Sequence, residues 1–214
     1  MKRYLAPLIV LVAVGILSYT YNLMSFLLLA IAAISLAVLL VAGIVRVFRT
    51  SLNPRWIRVP LIITGICLAG VVAGLFRPLE QAVVSNGDVS EKLAYAYKTD
   101  QEDRMTVRAY LGMFKDNMAK RDSIRLEQAN QLYRNNQISL PMDKFYAAFI
   151  FHHSKQSSFF EIAQALAREA ASVSELKDNY VVQWLAKATY DRWMVSLGKP
   201  QKYGTQDKFS VSVE

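Results

Sequence analysis

The chain has 214 residues, enough for one or two domains, and 53% of them are hydrophobic. Its net charge of +8 is unevenly distributed, because residues 1–77 carry seven bases and no acid, whereas the remainder carries 18 bases against 17 acids. The excess arginine flanks apolar runs and forms no basic stripe on the polar part, so a nucleic-acid partner is not expected. The single cysteine, Cys67, excludes an intramolecular disulfide and a cysteine-based zinc site.

Three uncharged apolar runs dominate the first third of the chain, over about residues 5–19, 23–45 and 59–76. The second run is long enough to cross about 30 Å of hydrocarbon at about 1.5 Å per residue. The first and third are near the lower limit, and flanking lysine and arginine side chains can extend them by reaching the interface. We therefore predict three transmembrane helices that form an anchor over residues 1–77, with the lipid bilayer as its partner.

The first run has an alternative interpretation as a signal peptide, because Lys2 and Arg3 precede its apolar core. However, residues 19–22 make a poor small-residue cleavage site, and a second long apolar run follows at once. We expect a retained helix, with Tyr19 and Tyr21 at an interfacial turn between two antiparallel spans.

Orientation follows from the positions of the bases. Lys2 and Arg3 precede the first run, the turn at 20–22 has no base, and the loop 46–58 has four arginines. The positive-inside bias places the N-terminus and this loop in the cytoplasm, so three spans export the C-terminal domain. A two-span hairpin, with the third run as a buried helix, would instead leave that domain in the cytoplasm. No charged residue or histidine lies within a run, so a transporter is not expected.

The polar part has helical patterning without any alternating β pattern. We predict a connector and short helix over residues 78–98, a helical extracytoplasmic domain over 99–206 and a loose tail over 207–214. The expected helices of the domain are 99–133 with a break near Lys120, 141–153, 158–172 and 178–197, the last ended by Gly198. Consecutive helices with short links predict an all-α array of helical hairpins. A tetratricopeptide-type repeat is an alternative, although no fixed period supports it.

Charged residues lie on apolar stripes of these predicted helices. On the long helix they are Asp100, Asp103, Arg104, Arg121 and Arg125, and on the last helix Asp191 and Arg192. His152 lies on the aromatic stripe of the helix that begins at Pro141, with His153 beside it. Because charges are rarely buried unpaired, Asp and Arg from different helices are expected to meet.

Two interpretations of this polar network remain open. In the first, interhelical ion pairs fix which helix packs where. In the second, Asp100, Asp103, Arg121, Arg125, His153 and Asp191 line a pocket. Carboxylates beside a histidine can act as acid and base, and arginines can hold an anion. No catalytic residue is assigned, and His152 is interpreted as a core histidine.

The segment after the last helix is rich in turn-forming and hydrogen-bonding residues. It is expected to fold back over the helices and cover the charged residues, the alternative being a disordered terminus. Its candidate covering residues are Pro200, Gln201, Tyr203, Gly204, Thr205 and Gln206.

These elements resemble a bacterial family of unknown function. The resemblance rests on Asp100-Gln101-x-Asp103-Arg104, Arg121-Asp122, residues 147–153, Trp184-Leu185 with Asp191-Arg192, and the ending Gly198-Lys-Pro-Gln-x-Tyr-Gly-Thr-Gln206. It covers about residues 99–206, and the G-x-P-Q-x-[YF]-G-T-Q ending is its most specific part. The family usually shows Gln-His-Gly/Ala where this chain has His152-His153-Ser154, so His153 is the matching histidine. The resemblance implies a helical domain and a candidate site, but no reaction.

Three functions are compatible with these observations. The first is a protein-interaction or ligand-binding module of the cell envelope, anchored in the bacterial inner membrane, with a membrane or envelope protein among its candidate partners. The second is an envelope hydrolase that uses the Asp/His/Arg pocket. The third is a structural subunit of a membrane complex. The chain has no Gly-rich phosphate loop, no His-Glu-x-x-His and no Gly-x-Ser-x-Gly, so no cofactor and no metal are predicted.

Overall fold

A computed structural model describes residues 2–49 and 52–206. The predicted loose tail, residues 207–214, lies outside the described residues. Within the described residues the secondary structure is entirely helical, which confirms the all-α prediction. It consists of α1 Lys2–Thr20, α2 Asn22–Phe48, α3 Arg55–Leu75, α4 Val89–Arg104, α5 Val107–Tyr110, α6 Lys115–Arg134, α7 Pro141–His152, α8 Ser157–Ala171 and α9 Tyr180–Ser196, with a 3-10 turn at Ser174–Leu176.

The chain divides into two compact units. The first unit comprises residues 1–79 and 104–113, and the second comprises residues 80–103 and 114–214. The first unit contains nine bases and no acid, so the remaining 16 of the 25 bases stand against all 17 acids in the second unit. The whole positive excess therefore belongs to the apolar first unit.

Two helices of the first unit, α2 and α3, are long and apolar enough to cross a membrane by the criteria of length and composition. The three predicted spans are therefore only partly supported. Helix α1 does not meet the length criterion, and its apolar part is Leu5–Thr20. Only 22% of the apolar window of α2 and 28% of that of α3 are buried, unlike the core helices of a soluble protein.

Helix α3 packs against both α1 and α2. Close approach is allowed by Gly70 and Gly74, where an added Cβ would lie under 3 Å from neighbouring side chains. Polar contacts join the helices as well, since Ser35 donates to the carbonyl of Pro60 at 2.9 Å and the Ser18 and Ser25 hydroxyls hydrogen-bond at 3.0 Å.

The core of the second unit forms around α7, which packs against α6, α8 and α9. This helix begins at Pro141. Proline is favoured in the first turn of a helix because its missing N–H would have no partner within the helix there. Phe145, Phe149 and Phe151 are buried, and α9 ends before Gly198, which has a positive φ of 69°. Neighbouring helices pack in chain order from α7 to α9, whereas the tetratricopeptide-type arrangement is not confirmed.

The helix predicted from Thr99 to Tyr133, with a break near Lys120, has the wrong start and the wrong break. Helix α4 already begins at Val89 and ends at Arg104, and the break lies at residues 105–114 rather than near Lys120. Thr106 accepts from the amide of Ala109 and caps the short α5, and Gly112 adopts a positive φ of 68°. The apolar stripe predicted along this helix is therefore interrupted, and Leu111 is 61% exposed.

The tight packing at Gly74 can be tested by adding one methyl group. In Gly74→Ala the Cβ would lie 2.3 Å from Ser25 Oγ, 2.7 Å from Ser18 Oγ and 3.3 Å from the Ser18 carbonyl oxygen, so both serine side chains and the backbone of α1 must shift. We expect the free energy of unfolding in detergent micelles to fall by about 1–3 kcal/mol. The control is Gly43→Ala, where no atom lies within 4 Å. Equal stability of the two variants would contradict the close approach.

Candidate functional site

The second unit contains a cluster of charged side chains supplied by three helices. Helix α4 contributes Asp100 and Asp103, α6 contributes Arg121, Asp122 and Arg125, and His153 directly follows α7 as its C-cap. Helical spacing explains the arrangement, because residues three or four apart share a face. We call these six residues the Arg125 cluster.

Arg125 is the centre of the cluster and is fully buried. Its Nη2 pairs closely with Asp103, its Nη1 lies 3.2 Å from Asp122 Oδ1, and its Nε donates to the Thr99 hydroxyl at 3.2 Å. The guanidinium is thus hydrogen-bonded through all three of its nitrogen atoms. Because an arginine side chain stays charged inside proteins, these acceptors are what make its burial tolerable.

Arg121 shares the Asp103 carboxylate, to which its Nε donates at 2.6 Å. Its side chain is 14% exposed, and its buried Nη2 has no hydrogen-bond partner among the described residues. One carboxylate of α4 thus binds two arginines of α6, which fixes the contact between these helices. The ion-pair interpretation made from the sequence describes this part of the cluster well.

His153 joins the cluster through Asp100. Its Nδ1 lies 3.1 and 3.2 Å from the two carboxylate oxygens of Asp100, while its ring packs edge-on against Phe149 at 5.4 Å between centroids. Asp100 also accepts from the side chain of Gln101 at 2.8 Å and lies 3.8 Å from Arg125 Nη1. Nδ1 thus faces the carboxylate, while Nε2 has no hydrogen-bond partner in the described part of the chain.

A pocket of 310 Å³ opens beside the cluster. We call it the His153 pocket, and its lining residues are Ala119, Asp122, Ser123, Leu126, Ile150, His153, Ser154, Lys155 and Gln156. Its volume falls within the range of small-ligand sites, about 300–1,000 Å³. His153 and Asp122, with side chains 19% and 22% exposed, are the two cluster members that line it, whereas Asp100 and Asp103 are only 2% exposed. The cluster is therefore sealed by packing, and its edge reaches the pocket.

The predicted position of Asp191 in this network is wrong. Asp191 is fully buried, but it has no arginine partner within the described ranges. It accepts instead from the backbone amides of Lys202, Tyr203 and Thr205 at 2.7–3.1 Å and from the Thr205 hydroxyl at 2.8 Å. The misplaced charge thus signalled a contact with backbone donors, which side-chain periodicity does not reveal.

The segment 200–206, here the tail segment, folds back onto α9. Gln201 accepts from the amide of Gln206, whose own side chain donates to the carbonyl of Ala188 at 3.3 Å. The ring of Tyr203 packs edge-on against Tyr190, and Gly204 adopts a positive φ of 66°. Pro200 is exposed. The tail segment covers Asp191, and no residue of it lines the His153 pocket.

Burial and hydrogen bonding act in opposite directions on Asp191. Burial alone would raise the pKa of its carboxyl group. The amide and hydroxyl donors of the tail segment outweigh burial and hold that pKa below its ordinary value. Asp191 therefore stays ionised at neutral pH and anchors the tail segment as a carboxylate.

The other predicted site residues lie elsewhere. The Arg192 guanidinium lies 4.9 Å above the centroid of the Phe160 ring, a cation–π arrangement. Arg104 belongs to the first unit. His152 is buried, as expected of a core histidine, with its ring 5.7 Å from that of His153 between centroids.

Two members of the site were absent from the predicted set. Thr99 and Asp122 both bind Arg125. Asp122 stands three residues before Arg125, a spacing that favours an ion pair on one helix face and could have identified it. Thr99 could not be identified from the sequence, because a threonine within a helix does not by itself indicate a charged partner. No group of three or more His, Cys, Asp or Glu side chains suited to a metal ion occurs among residues 2–49 and 52–206.

Comparisons with models of protein families, with characterised proteins and with solved structures found no match to this chain. The resemblance to a bacterial family therefore stays a prediction.

The burial of Arg125 makes its stability contribution testable. Arg125→Met leaves the Asp103 carboxylate in the interior with one of its two arginines removed, and we expect the free energy of unfolding to fall by about 3–5 kcal/mol. Urea denaturation of the full chain, followed by circular dichroism, measures the loss. In the control Lys144→Met, loss of the half-exposed pair with Glu169 should cost less than about 1 kcal/mol. Similar losses in both variants would contradict a central role for Arg125.

The tail segment should be sensitive to acid. Because the folded-state pKa of Asp191 is lowered, its stabilising effect is complete above the ordinary carboxyl pKa of about 4 and is lost as pH falls through the lower folded value. We expect hydrogen exchange of the Tyr203 and Thr205 amides, corrected for intrinsic rate, to lose protection in that range.

The isosteric variant Asp191→Asn provides the matched comparison. It should expose these amides at neutral pH and cost about 1–3 kcal/mol, since an amide group cannot accept all four hydrogen bonds. Unchanged protection in this variant would show that the carboxylate does not hold the tail segment.

Proposed function

We propose that this chain is an inner-membrane protein of the bacterial cell envelope whose second unit binds a small ligand or a partner side chain outside the cytoplasm. The observation that carries the binding function is the His153 pocket, where an apolar floor meets polar groups held by a rigid ion-pair cluster. Such a combination of apolar wall and few oriented polar groups is typical of ligand sites.

Membrane anchoring is supported by the exposure of the first unit. Leu36 and Leu40 on α2 and Leu61 on α3 are each more than half exposed, and an aqueous surface of this kind would be strongly unfavourable. We take α1 as a third span, because it packs on α3 and its apolar part of about 16 residues can be extended by its basic start.

The proposed orientation rests on the distribution of bases at the two ends of these helices. Lys2, Arg3 and the four arginines of residues 46–58 give six bases to one end, against Arg77, Arg104 and Arg108 at the end that contains the Tyr21 junction between α1 and α2. The positive-inside bias places the first end in the cytoplasm. With three spans, the second unit is then extracytoplasmic.

A second candidate function, hydrolysis, is favoured by the contact between Asp100 and His153. An imidazole whose Nδ1–H is held by a carboxylate can take a proton from water through Nε2. The nearby hydroxyls of Ser123 and Ser154 both donate to backbone carbonyls, so water is the better candidate nucleophile.

The structural-subunit hypothesis is favoured by one surface of α9. Tyr180, Val181 and Trp184 are exposed there. Exposed aromatic side chains are common at protein interfaces, so this surface supports a protein partner beside the ligand site.

The ligand-binding proposal can be tested by blocking the pocket. Full-length protein in nanodiscs is tested by thermal shift against amino acids, short peptides, sugars and nucleotides, and a ligand at 100 times its Kd should stabilise the protein by about 2.7 kcal/mol. Ser123→Phe should abolish this stabilisation because it fills the pocket rim. Ser172→Phe is the matched control, because Ser172 is also exposed and also donates to a carbonyl one turn earlier.

His153→Gln separates binding from hydrolysis. If the site only binds, His153→Gln should keep measurable affinity for the ligand. If the protein is a hydrolase, the wild-type protein should release product and His153→Gln should not. Stabilisation that survives Ser123→Phe would place the ligand outside the His153 pocket and contradict the proposal.

A further inference from the structure

Residues 104–113 are part of the first unit although they connect α4 to α6 in the chain. Val107 is only 5% exposed and belongs to a buried cluster with Leu28, Cys67 and Val71. The ring of Tyr110 meets that of Phe26 edge-on, with 5.2 Å between centroids. The segment is therefore packed into the apolar unit and is not a loose loop.

The level of this segment along the helices is defined by a small pocket. Thr106, Val107 and Arg108 line it together with residues from the end of α1, the start of α2 and the end of α3, namely Ser18, Asn22, Ser25, Gly74 and Leu75. The segment thus lies at the end of the bundle where α1 turns into α2. If these helices cross a bilayer, that end is at the membrane surface opposite the arginine loop 46–58.

The outward side chains of the segment are large and apolar. Met105, Tyr110, Leu111 and Met113 are 51%, 75%, 61% and 66% exposed. The same ten residues include Arg104 and Arg108 and no acid. Apolar and aromatic side chains beside arginine are the composition that favours the boundary between lipid headgroups and acyl chains.

We propose that residues 104–113 form an interfacial segment that inserts Met105, Leu111 and Met113 into the outer part of the bilayer. Arginines of this segment would lie at the level of the lipid phosphates, for which guanidinium is a good hydrogen-bond donor. The occupant of the exposed surface is phospholipid, because the surface continues the exposed belt of α1–α3 and the whole first unit has nine bases and no acid. This inference rests on the membrane anchoring proposed above.

Insertion of residues 104–113 into the bilayer surface would also explain why the helical pattern from Thr99 to Tyr133 is interrupted. A continuous helix would keep Val107 and Leu111 with the second unit. The break at residues 105–114 instead lets these side chains reach the apolar unit, and their burial in protein and lipid offsets the lost helical hydrogen bonds.

The proposal can be tested with one environment-sensitive fluorophore on the full chain. In a Cys67→Ala background, NBD is attached to Leu111→Cys, and the protein is placed in nanodiscs of phosphatidylcholine and phosphatidylglycerol. Leu140→Cys is the matched control, because Leu140 is similarly exposed, at 56%, but lies in the second unit. Ile34→Cys, on the middle of α2, reports membrane insertion itself.

Lipids with a nitroxide on the headgroup should quench the Leu111 label and not the Leu140 label, while iodide in the buffer should quench only the latter. Access of iodide to both labels, without nitroxide quenching, would overturn the proposal. A Leu111 label shielded from both quenchers would show a protein occupant, a second copy or another chain, and overturn it equally. If an acyl-chain nitroxide fails to quench the Ile34 label, the anchoring itself is refuted and the interfacial segment with it.

Discussion

A guanidinium that cannot lose its charge is the constraint on which the second unit depends. Arg125 is fully buried, so the chain must supply acceptors for it inside the fold. Asp103 and Thr99 come from α4 and Asp122 from α6 itself. Satisfying this one side chain fixes the rotation of α4 against α6, since a turn of either helix by one residue would remove the acceptors. A buried ion pair of this kind contributes specificity of packing more than net stability.

The buried Arg125 also fixes the geometry of the proposed site. Asp100 lies beside Arg125 and also orients His153, so the imidazole is held by a chain of contacts that begins in the rigid interior. A side chain fixed in this way loses little conformational freedom when a ligand binds, which lowers the entropic cost of recognition. The His153 pocket is thus bordered by groups whose positions are set before any ligand arrives.

Part of this arrangement could be predicted from the sequence. Helical periodicity identified Asp100, Asp103, Arg121 and Arg125 as charges on a buried face, because one helix face repeats every three to four residues whatever its partners are. The same periodicity misplaced Asp191, since its donors are backbone amides, which every residue carries and no pattern marks. It also placed the break near Lys120 instead of at residues 105–114, because the apolar spacing continues through that segment although Thr106 caps α5 and Gly112 adopts a positive φ there.

The path of the chain between the two units has a practical consequence for their separation. The backbone passes from one unit to the other three times, after residues 79, 103 and 113. A single proteolytic cut in the stretch 81–88 would leave the second unit still joined to the first through the two remaining connections. Removing residues 1–79 would likewise retain residues 104–113 without the helices that bury Val107. Shedding of the second unit therefore requires three cleavages, so this architecture is unsuited to release by a single protease event.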